Sequence, residues 1–374
     1  MLKKLIINKE DLKHNINKVK AYAKEIANGK EYTIIGVVKG NGYGLDIVQY
    51  SEILTNNGIN YLAVATLDEA LKLSNKNFCD NILLLSPLNN IDEVRKAIEN
   101  KIIITVSSKK SADDIIKLSK EGHNIKVHIK VDTGFGRYGF LYNDFEEIVE
   151  TAKKLIDNNI EVEGIFSHFA DAYVKKNKHT LNQFKRFCDV LEFLEKRSIS
   201  IKLKHICNSP AFLNYPEMHI NAVRVGSAFL GRVSAENNIG LKKIGEMEVP
   251  VAEVRKVPKN FSISYLNSYK TKRESEIAIL PIGHLEGYNI GPNVEMFRPK
   301  YKIFRALREL KSLLEKQKLT AVINEKRYDV IGTIGMYHTV VDVTGGNVKA
   351  GDLARLQINP LYVSNEIRRE YINE

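Results

Sequence analysis

The feature that most constrains the fold is an alternation of short apolar runs with longer amphipathic stretches over most of the first 230 residues. Apolar runs of this length predict β-strands, and the stretches between them place apolar residues at helical spacing. Strands that alternate with helices are typical of a parallel sheet. The pattern predicts eight strands, at residues 33–39, 61–66, 81–86, 102–107, 126–131, 162–167, 203–208 and 222–226.

Eight strand–helix units within about 200 residues favour a closed (β/α)8 barrel of the TIM type over an open sheet. We therefore predict an α/β barrel domain at residues 10–238. From about residue 240 the sequence changes to Val-, Ile- and Tyr-rich alternation with short turns, which predicts a mainly-β domain at 239–374. A lysine-rich segment with helical apolar spacing, residues 301–316, interrupts this second domain as a helical insertion.

Composition excludes several classes of protein. The longest apolar runs are far shorter than the roughly 18 residues of a membrane span, and the N-terminus turns polar too early for a signal peptide. We therefore expect a cytoplasmic protein without a membrane partner. The formal charge is +11, but the lysines are dispersed among acidic residues, so no nucleic-acid partner is expected. The three cysteines lack the spacing of metal ligands, and no metal site is predicted.

One lysine, Lys39, follows an apolar run and enters a loop with Gly40, Gly42 and Gly44. A lysine at the end of a buried strand loses hydration, which lowers its pKa toward a value at which the amine can attack a carbonyl group. A surface lysine in a glycine-rich turn is an equally ordinary interpretation of this stretch alone. The other strands have to decide between the two interpretations.

Polar residues gather where the predicted strands end. The C-terminal ends of barrel strands share one face, and polar side chains on that face indicate chemistry. Five strands contribute them: Lys39 and Tyr43; Lys130, Asp132 and Arg137; Ser167 and His168; His205, Asn208 and Ser209; Arg224, Gly226 and Ser227. Backbone N–H groups that open helices after the last two strands suit a phosphate. A lysine able to form a Schiff base near a phosphate site favours pyridoxal 5'-phosphate as cofactor.

Eight segments also carry a resemblance to a known family. They are VVKGNGYG at 37–44, LAVATLDEA at 62–70, HIKVDTGFGRYGF at 128–140, SHFADA at 167–172, QFKRF at 183–187, HICNSPA at 205–211, RVGSAFLG at 224–231 and VVDVT at 340–344. In this order they resemble the alanine racemases, which are fold-type III pyridoxal-phosphate enzymes. The resemblance implies that residues 1–9 join the C-terminal β domain. It also implies a homodimer in which each active site lies between one barrel and the partner's β domain.

The resemblance further implies roles for individual residues. Lys39 is similar to the Schiff-base lysine, which also acts as the base on one face of the substrate α-carbon. Cofactor binding is implied for Tyr43, His168, Ser209, Arg224, Gly226 and Ser227, with His205 as an orienting partner behind Arg224. An arginine beside the ring nitrogen stays protonated and cannot give that nitrogen its proton. The carbanion is therefore less delocalised, which favours return of the proton over side reactions.

Two further barrel residues have counterparts on the substrate side. Arg137 resembles the residue that engages the substrate carboxylate. Lys130 matches a lysine that is often carbamylated in the family and steadies that arginine. A barrel lysine that points inward and pairs with Asp132 is the structural alternative for Lys130.

The chain departs from the family at the second proton carrier, which is normally a tyrosine in Gly-Tyr-Ala-Asp-Gly-Tyr. Residues 283–288 read Gly-His-Leu-Glu-Gly-Tyr, so His284 occupies the catalytic position. Histidine as a residue type carries a proton near neutral pH, although it has a shorter reach than tyrosine. Met336, which the family uses near the substrate, is retained.

The sequence thus predicts a pyridoxal-phosphate-dependent amino-acid racemase, an isomerase whose substrate is either alanine or another amino acid. Two alternatives stay open. One is a cofactor-binding homologue without racemase turnover, with a regulatory or carrier role. The other is a different fold-type III activity, such as decarboxylation.

Overall fold

A computed structural model describes residues 3–77, 79, 81–291, 302–303, 306–307 and 319–373. The chain divides into two compact units, one formed by Met1–Asn8 with Ile244–Glu374 and the other by Lys9–Lys243. The first strand, β1 (Lys4–Asn8), belongs to the sheet of the first unit. The predicted helical insertion at 301–316 lies outside the described residues, apart from 302–303 and 306–307.

The unit Lys9–Lys243 contains a closed barrel of parallel strands. Its strands are β2 (Thr33–Val37), β3 (Tyr61–Val64), β4 (Asn81–Leu84), β5 (Ile103–Val106), β6 (Lys126–Asp132), β7 (Phe140–Leu141), β8 (Glu161–Phe166), β9 (Leu203–His205) and β10 (Ala222–Val225). Pairing of β2 with β10 and of β5 with β6 closes the ring, while β7 pairs only with β6. The predicted fold class is confirmed, and so are the eight predicted strands. All except β6 end one to three residues earlier than predicted.

The helices of this unit follow the strands. They are α1 (Lys9–Ala27), the turn α2 (Lys39–Tyr43), α3 (Ile47–Asn56), α4 (Leu67–Ser74), α5 (Ile91–Glu99), α6 (Lys109–Ser119), α7 (Phe145–Asp157), α8 (Lys178–Lys196) and α9 (Ser209–Asn214), with a 3-10 turn at Pro216–Met218. Several begin at a side-chain cap, which satisfies a free N–H of the first turn and contributes about 1 kcal/mol. These caps are Asp46, Thr66, Asn90, Ser108, Asn177 and Asn208. In the part of the chain that the structure describes, no helix combines the length and apolar character needed to cross a membrane.

The other unit is built on a nine-stranded sheet. Besides β1, the strands described in this unit are β11 (Glu246–Pro250), β12 (Glu253–Val257), β13 (Ser262–Ile263), β14 (Tyr269–Lys270), β15 (Ser275–Leu280), β16 (Thr320–Ile323), β17 (Lys326–Ile331), β18 (Thr339–Asp342), β19 (Leu353–Gln357) and β20 (Arg368–Ile372). The sheet order is β12-β15-β18-β17-β16-β19-β11-β1-β20, and β13 with β14 forms a separate hairpin. The β1–β20 pair is parallel and the other pairs are antiparallel. Among its described residues, 3-10 turns at Tyr265–Asn267, His284–Glu286 and Pro360–Tyr362 connect strands.

Candidate active site

The sequence predicts that Lys39 ends the first barrel strand, but in the structure Lys39 opens a turn of left-handed helix. Strand β2 ends at Val37, and residues 40–44 all have positive φ, between 51° and 83°. A left-handed helix costs a residue with a Cβ roughly 1–2 kcal/mol, whereas glycine adopts it freely and asparagine more readily than most. The spacing Gly-Asn-Gly-Tyr-Gly therefore specifies this turn. The glycines set the direction in which the lysine leaves the strand.

A carboxylate from the next strand–helix unit holds the turn in place. Glu69 Oε1 accepts hydrogen bonds from the N–H groups of Gly40 at 2.6 Å and Asn41 at 3.1 Å, and its Oε2 accepts from the N–H of Ala65 at 3.1 Å. Glu69 lies in the first turn of α4, one of the segments that carry the family resemblance. It ties the turn that starts at Lys39 to the end of β3.

The environment of Lys39 favours the neutral amine. Its side chain is partly buried, and no residue that the structure describes accepts a hydrogen bond from Nζ. Burial lowers the pKa of Lys39, and the nearby positive charges of Arg137 and Arg224 lower it further, while Glu69 acts weakly in the opposite direction. An amine in this setting is a better nucleophile and base than a solvated lysine. The structure therefore supports the first of the two sequence interpretations.

Tyr43, Ser209 and Gly226 meet beside this turn. Ser209 Oγ accepts hydrogen bonds from the N–H groups of Gly226 at 3.0 Å and Ala228 at 3.3 Å. A Cβ on Gly226 would stand only 2.4 Å from Tyr43 Oη, so glycine is required for the tyrosine to approach. Burial raises the pKa of Tyr43 to about 12, so its hydroxyl remains a donor. With partly buried Ser227 next in the chain, these neutral donors form a cradle for an anion.

Arg224 is buried, and both terminal nitrogens of its guanidinium donate hydrogen bonds. Its Nη1 donates to His205 Nδ1 at 2.7 Å, and its Nη2 donates to the carbonyl oxygen of Ser167 at 2.7 Å and to His168 Nδ1 at 3.0 Å. Burial lowers the pKa of Arg224 to about 10, which still leaves the guanidinium protonated. Burial and the charge of Arg224 hold the pKa values of His168 and His205 well below their usual range. Both imidazoles are therefore neutral acceptors.

Asp132 organises the loop that carries Arg137. Its carboxylate accepts hydrogen bonds from the four N–H groups of residues 134–137, at 2.8 to 3.1 Å. Burial acts to raise the pKa of Asp132, but these four bonds outweigh it and lower the pKa. Lys130 Nζ donates instead to the carbonyl oxygen of Val131 at 3.0 Å, which does not support the structural alternative of a Lys130–Asp132 pair. Burial lowers the pKa of Lys130 to about 7.

Arg137 remains exposed at the end of this loop. Its Cζ lies 4.3 Å from the ring centroid of Phe135, and that ring meets His168 edge-on with centroids 5.2 Å apart. Gln183 of α8 secures the neighbouring loop, because its Nε2 donates to the carbonyl oxygen of His168 at 3.0 Å and its Oε1 accepts from the N–H of Ala170 at 2.9 Å. The guanidinium is thus placed by stacking and free to bind an anion.

His284 and Met336 lie together in the β unit. The N–H of His284 donates to the carbonyl oxygen of Gly335 at 3.1 Å, and the N–H of Leu285 donates to that of Met336 at 3.1 Å. Both side chains are exposed, Met336 by 60%. The structure therefore places the two predicted residues of this unit on one surface.

Some residues connected to the site received no role from the sequence analysis. Glu69 is one, and His128 and Glu163 are others, since both belong to a buried network that reaches Arg224. The sequence of strand β6 could have indicated that His128 lies on the same strand face as Lys130 and Asp132, because these three residues alternate with a period of two. With Lys126, four polar residues on one face of this barrel strand indicate an interior polar network.

The barrel residues fit pyridoxal 5'-phosphate. The space kept open by Gly226 lies among neutral donors that suit a phosphate, and the amine of Lys39, which has no hydrogen-bond acceptor among the described residues, is of the kind that can react with an aldehyde carbon. Arg224 is a hydrogen-bond donor held in place, and the ring nitrogen of the cofactor can accept a hydrogen bond from such a group. A (β/α)8 barrel with this constellation at the C-terminal ends of its strands defines a barrel-type pyridoxal-phosphate enzyme.

Comparison with known proteins narrows the class to one family. The family model for the alanine racemase N-terminal domain matches residues 7–233, and that for the C-terminal domain matches residues 244–361. The alanine racemase of Methanococcus maripaludis is 37% identical over 349 residues, which cover 91% of this chain and 85% of the relative. Alanine racemase 2 of Caldanaerobacter subterraneus subsp. tengcongensis is 33% identical over 356 residues, covering 92% and 83%. The chain belongs to the alanine racemase family and is a pyridoxal-phosphate-dependent amino-acid racemase.

Solved structures agree with this fold. Alanine racemase from D-cycloserine-producing Streptomyces lavendulae aligns with a TM-score of 0.81 at 24% identity, over 100% of this chain and 98% of that one. Alanine racemase from Bacillus anthracis with bound L-Ala-P aligns with a TM-score of 0.75 at 26% identity, over 100% and 95%. The sequence-based prediction of the family is confirmed.

Proposed function

We propose that this chain racemises a small amino acid, with alanine as the first candidate, and that Lys39 and His284 are its two proton carriers. The observation that carries the proposal is the lowered pKa of Lys39 beside a neutral phosphate cradle and two guanidinium groups. The names of the relatives support alanine as the first substrate to test. The expected cytoplasmic location stays a prediction.

The cofactor would be held by the residues of the barrel mouth. When bound, pyridoxal 5'-phosphate supplies an electron sink for the negative charge left at the substrate α-carbon. The cradle of Tyr43, Ser209, Gly226 and Ser227 would bind its phosphate. Arg224 would donate a hydrogen bond to the ring nitrogen without surrendering its proton, because its pKa stays near 10. His168, neutral and fixed by Arg224, would lie against the ring.

Lys39 would take a proton from one face of the α-carbon in one direction of racemisation and deliver a proton to that same face in the reverse direction. It must be unprotonated to take the proton, which its burial and two positive neighbours favour. Arg137, exposed and stacked on Phe135, would bind the substrate carboxylate. A carbamate on Lys130 would give Arg137 a negative partner. The pKa of about 7 keeps a substantial fraction of Lys130 as the neutral amine that this modification needs.

His284 is proposed as the carrier on the opposite face. Its Nδ1 lies 3.2 Å from the carbonyl oxygen of Tyr288, so Nδ1 carries the hydrogen and Nε2 keeps a free lone pair. Tyr288 itself is buried, and burial raises its pKa to about 12, which makes it a poor proton carrier near neutral pH. Among the tyrosine and histidine of this segment, His284 is the accessible base.

We further propose a homodimer in which His284 of one protomer serves the barrel of the other. Apolar side chains cluster in the loops around His284, and Leu285, Met336 and Tyr337 are each more than half exposed. Leu266 is 93% exposed. It lies near the same loops, because Ser264, two residues earlier, donates a hydrogen bond from its Oγ to the carbonyl oxygen of Thr333. Exposed apolar clusters of this kind are typical of protein interfaces.

Racemisation in D2O tests the proton carriers. Wild-type enzyme with L-alanine, and then with a panel of L-amino acids, should form the D-enantiomer with deuterium at the α-carbon. His284→Ala should keep the cofactor absorbance and lose formation of the D-enantiomer, while His123→Ala, at an exposed histidine of the barrel unit, should behave as wild type. Absence of α-proton exchange with every amino acid tested would refute the proposal.

A mixing experiment tests the shared site. Lys39→Ala and His284→Ala homodimers should each be inactive, but subunit exchange creates heterodimers in which one of the two sites has both carriers. Recovery of activity after mixing supports a shared site. A monomeric protein in sedimentation, or exchange without recovery, argues against it.

A further inference from the structure

A series of buried hydrogen bonds crosses the barrel interior. It begins at the barrel floor, the end at which the parallel strands start, and reaches Arg224. We name the set Glu163, Tyr61, His128, His205 and Arg224 the imidazole chain. Each member is at most 7% exposed. The heavy-atom distances along it are 2.7 Å from Arg224 Nη1 to His205 Nδ1, 3.0 Å from His205 Nε2 to His128 Nδ1, and 2.9 Å from His128 Nε2 to Tyr61 Oη. Glu163 Oε2 ends it, 2.7 Å from Tyr61 Oη and 3.3 Å from His128 Nε2.

The two ends of the imidazole chain dictate where its protons lie. A guanidinium can only donate, so His205 Nδ1 accepts and the ring carries its hydrogen on Nε2. That hydrogen is donated to His128 Nδ1, and His128 in turn carries its hydrogen on Nε2. A carboxylate can only accept, so Glu163 receives the hydrogens of Tyr61 and His128. Every proton points away from Arg224 and toward Glu163.

The far end is anchored independently of the cofactor site. Lys126 Nζ donates to the other carboxylate oxygen of Glu163 at 3.1 Å, which orients the carboxylate across the barrel floor. Burial acts to raise the pKa of Glu163, but hydrogen bonds from His128 and Tyr61 outweigh it and hold the pKa at about 2. Glu163 is therefore an acceptor at every pH at which the enzyme would work.

We propose that Glu163 is a positioning residue that, through Tyr61, His128 and His205, fixes the orientation in which Arg224 faces the cofactor's ring nitrogen. The inference rests on the proposed role of Arg224. If the polarity of the imidazole chain reversed, His205 would carry its hydrogen on Nδ1. Two N–H groups would then face each other, and Arg224 Nη1 would lose its shorter bond, at 2.7 Å, and keep only the one to the carbonyl oxygen of His205 at 3.2 Å.

Glu163→Gln is the informative substitution because it keeps the shape and removes the charge. Lys126 needs an acceptor and draws the amide oxygen toward itself, which turns the NH2 group toward Tyr61 and His128. His128 Nε2 then becomes an acceptor, and the polarity reverses. Glu161→Gln is the matched control, since Glu161 is on the same strand and 3.6 Å from the same Lys126 but is exposed.

The readout is the tautomer of each imidazole in the full-length protein labelled with [15N]histidine, with and without cofactor. Long-range 1H–15N spectra should give His128 and His205 as Nε2–H tautomers in the wild type and in Glu161→Gln. Glu163→Gln should move the hydrogen of at least His128 to Nδ1. With cofactor bound, its kcat should fall roughly 10- to 100-fold, as for outer-shell partners of metal-bound histidines, and KM should stay within about twofold because Arg137 is untouched.

Three results would overturn the inference. They are a wild-type His205 with its hydrogen on Nδ1, unchanged tautomers in Glu163→Gln, and kinetic constants of Glu163→Gln equal to those of Glu161→Gln. The wild-type spectrum decides even if Glu163→Gln does not fold. Because the tautomers are measured without turnover, a failed racemase assay would refute the proposed function and leave this test intact.

Discussion

Replacing Gly226 by alanine should disturb both packing and cofactor binding. The added Cβ would lie 2.4 Å from Tyr43 Oη and 2.8 Å from its Cε2 and Cζ, whereas unstrained carbon contacts lie at about 3.5–4.0 Å. The ring must therefore withdraw by about 1 Å, and the left-handed turn that carries Tyr43 limits how it can move. Overpacking of this kind costs about 1–3 kcal/mol.

Two measurements separate the effects of Gly226→Ala. Urea unfolding of the cofactor-free protein should give a loss of about 1–3 kcal/mol. Titration with pyridoxal 5'-phosphate should give a dissociation constant raised roughly tenfold for each 1.4 kcal/mol of binding free energy lost through the displaced hydroxyl. Gly291→Ala, where a Cβ would meet no atom of the described residues within 4 Å, is the control. In a Tyr43→Phe background the penalty should shrink, because the nearest clashing atom is gone.

A Gly226→Ala protein that unfolds and binds cofactor as the wild type does would refute the close approach of Tyr43 to Gly226 and its part in the cradle. A loss of stability equal in the Tyr43→Phe background would also contradict it, since the strain would then lie elsewhere.

Three other predictions concern single side chains. Lys39→Ala should abolish the absorbance band of covalently linked cofactor and keep the wild-type circular dichroism; a surviving band would contradict the assignment. Arg137→Ala should raise KM for the amino acid without lowering Tm, because the guanidinium is exposed, and an unchanged KM would argue against carboxylate binding. The pKa of Glu163 in the folded protein is about 2, below its usual 4.5. The ionised carboxylate therefore stabilises the folded state by an amount on the order of 3 kcal/mol, which is fully present above pH 4.5 and is lost as pH falls toward 2. The difference in unfolding free energy between wild type and Glu163→Gln should therefore shrink by about 2 kcal/mol from pH 7 to pH 3; a constant difference would show that the carboxylate is not stabilising.

The barrel could be predicted from the sequence because its signals are local. Each strand is a short apolar run and each long helix has apolar residues at helical spacing, so both follow from neighbours along the chain. Strand ends were less accurate where turn chemistry decides. The run through Val37 and Val38 suggested a strand to Lys39, but successive positive φ values end it at Val37. The Gly-x-Gly-x-Gly spacing was visible, yet apolar periodicity carries no information on handedness.

The mouth of the barrel was predictable for a different reason. Topology alone brings the ends of parallel strands to one face, so Lys39, Arg137 and Arg224 could be placed near each other without knowledge of packing. Glu163 was not found because it lies early in its strand, at the end of the barrel expected to serve stability. Its link to Arg224 runs through residues from three other strands, and contacts across a barrel interior depend on register and side-chain packing that no local pattern specifies.

The left-handed turn at residues 40–44 also has a consequence for chirality. L-residues resist its backbone, but a D-residue has mirror-image preferences and favours φ near the 65° found at Gly40. D-alanine introduced there by chemical ligation would restrict the unfolded chain without straining the exposed turn, and should stabilise the protein by roughly 0.4–1 kcal/mol. In an enzyme that interconverts mirror-image substrates, the lysine that we propose as a proton carrier thus directly precedes a segment of backbone suited to mirror-image residues.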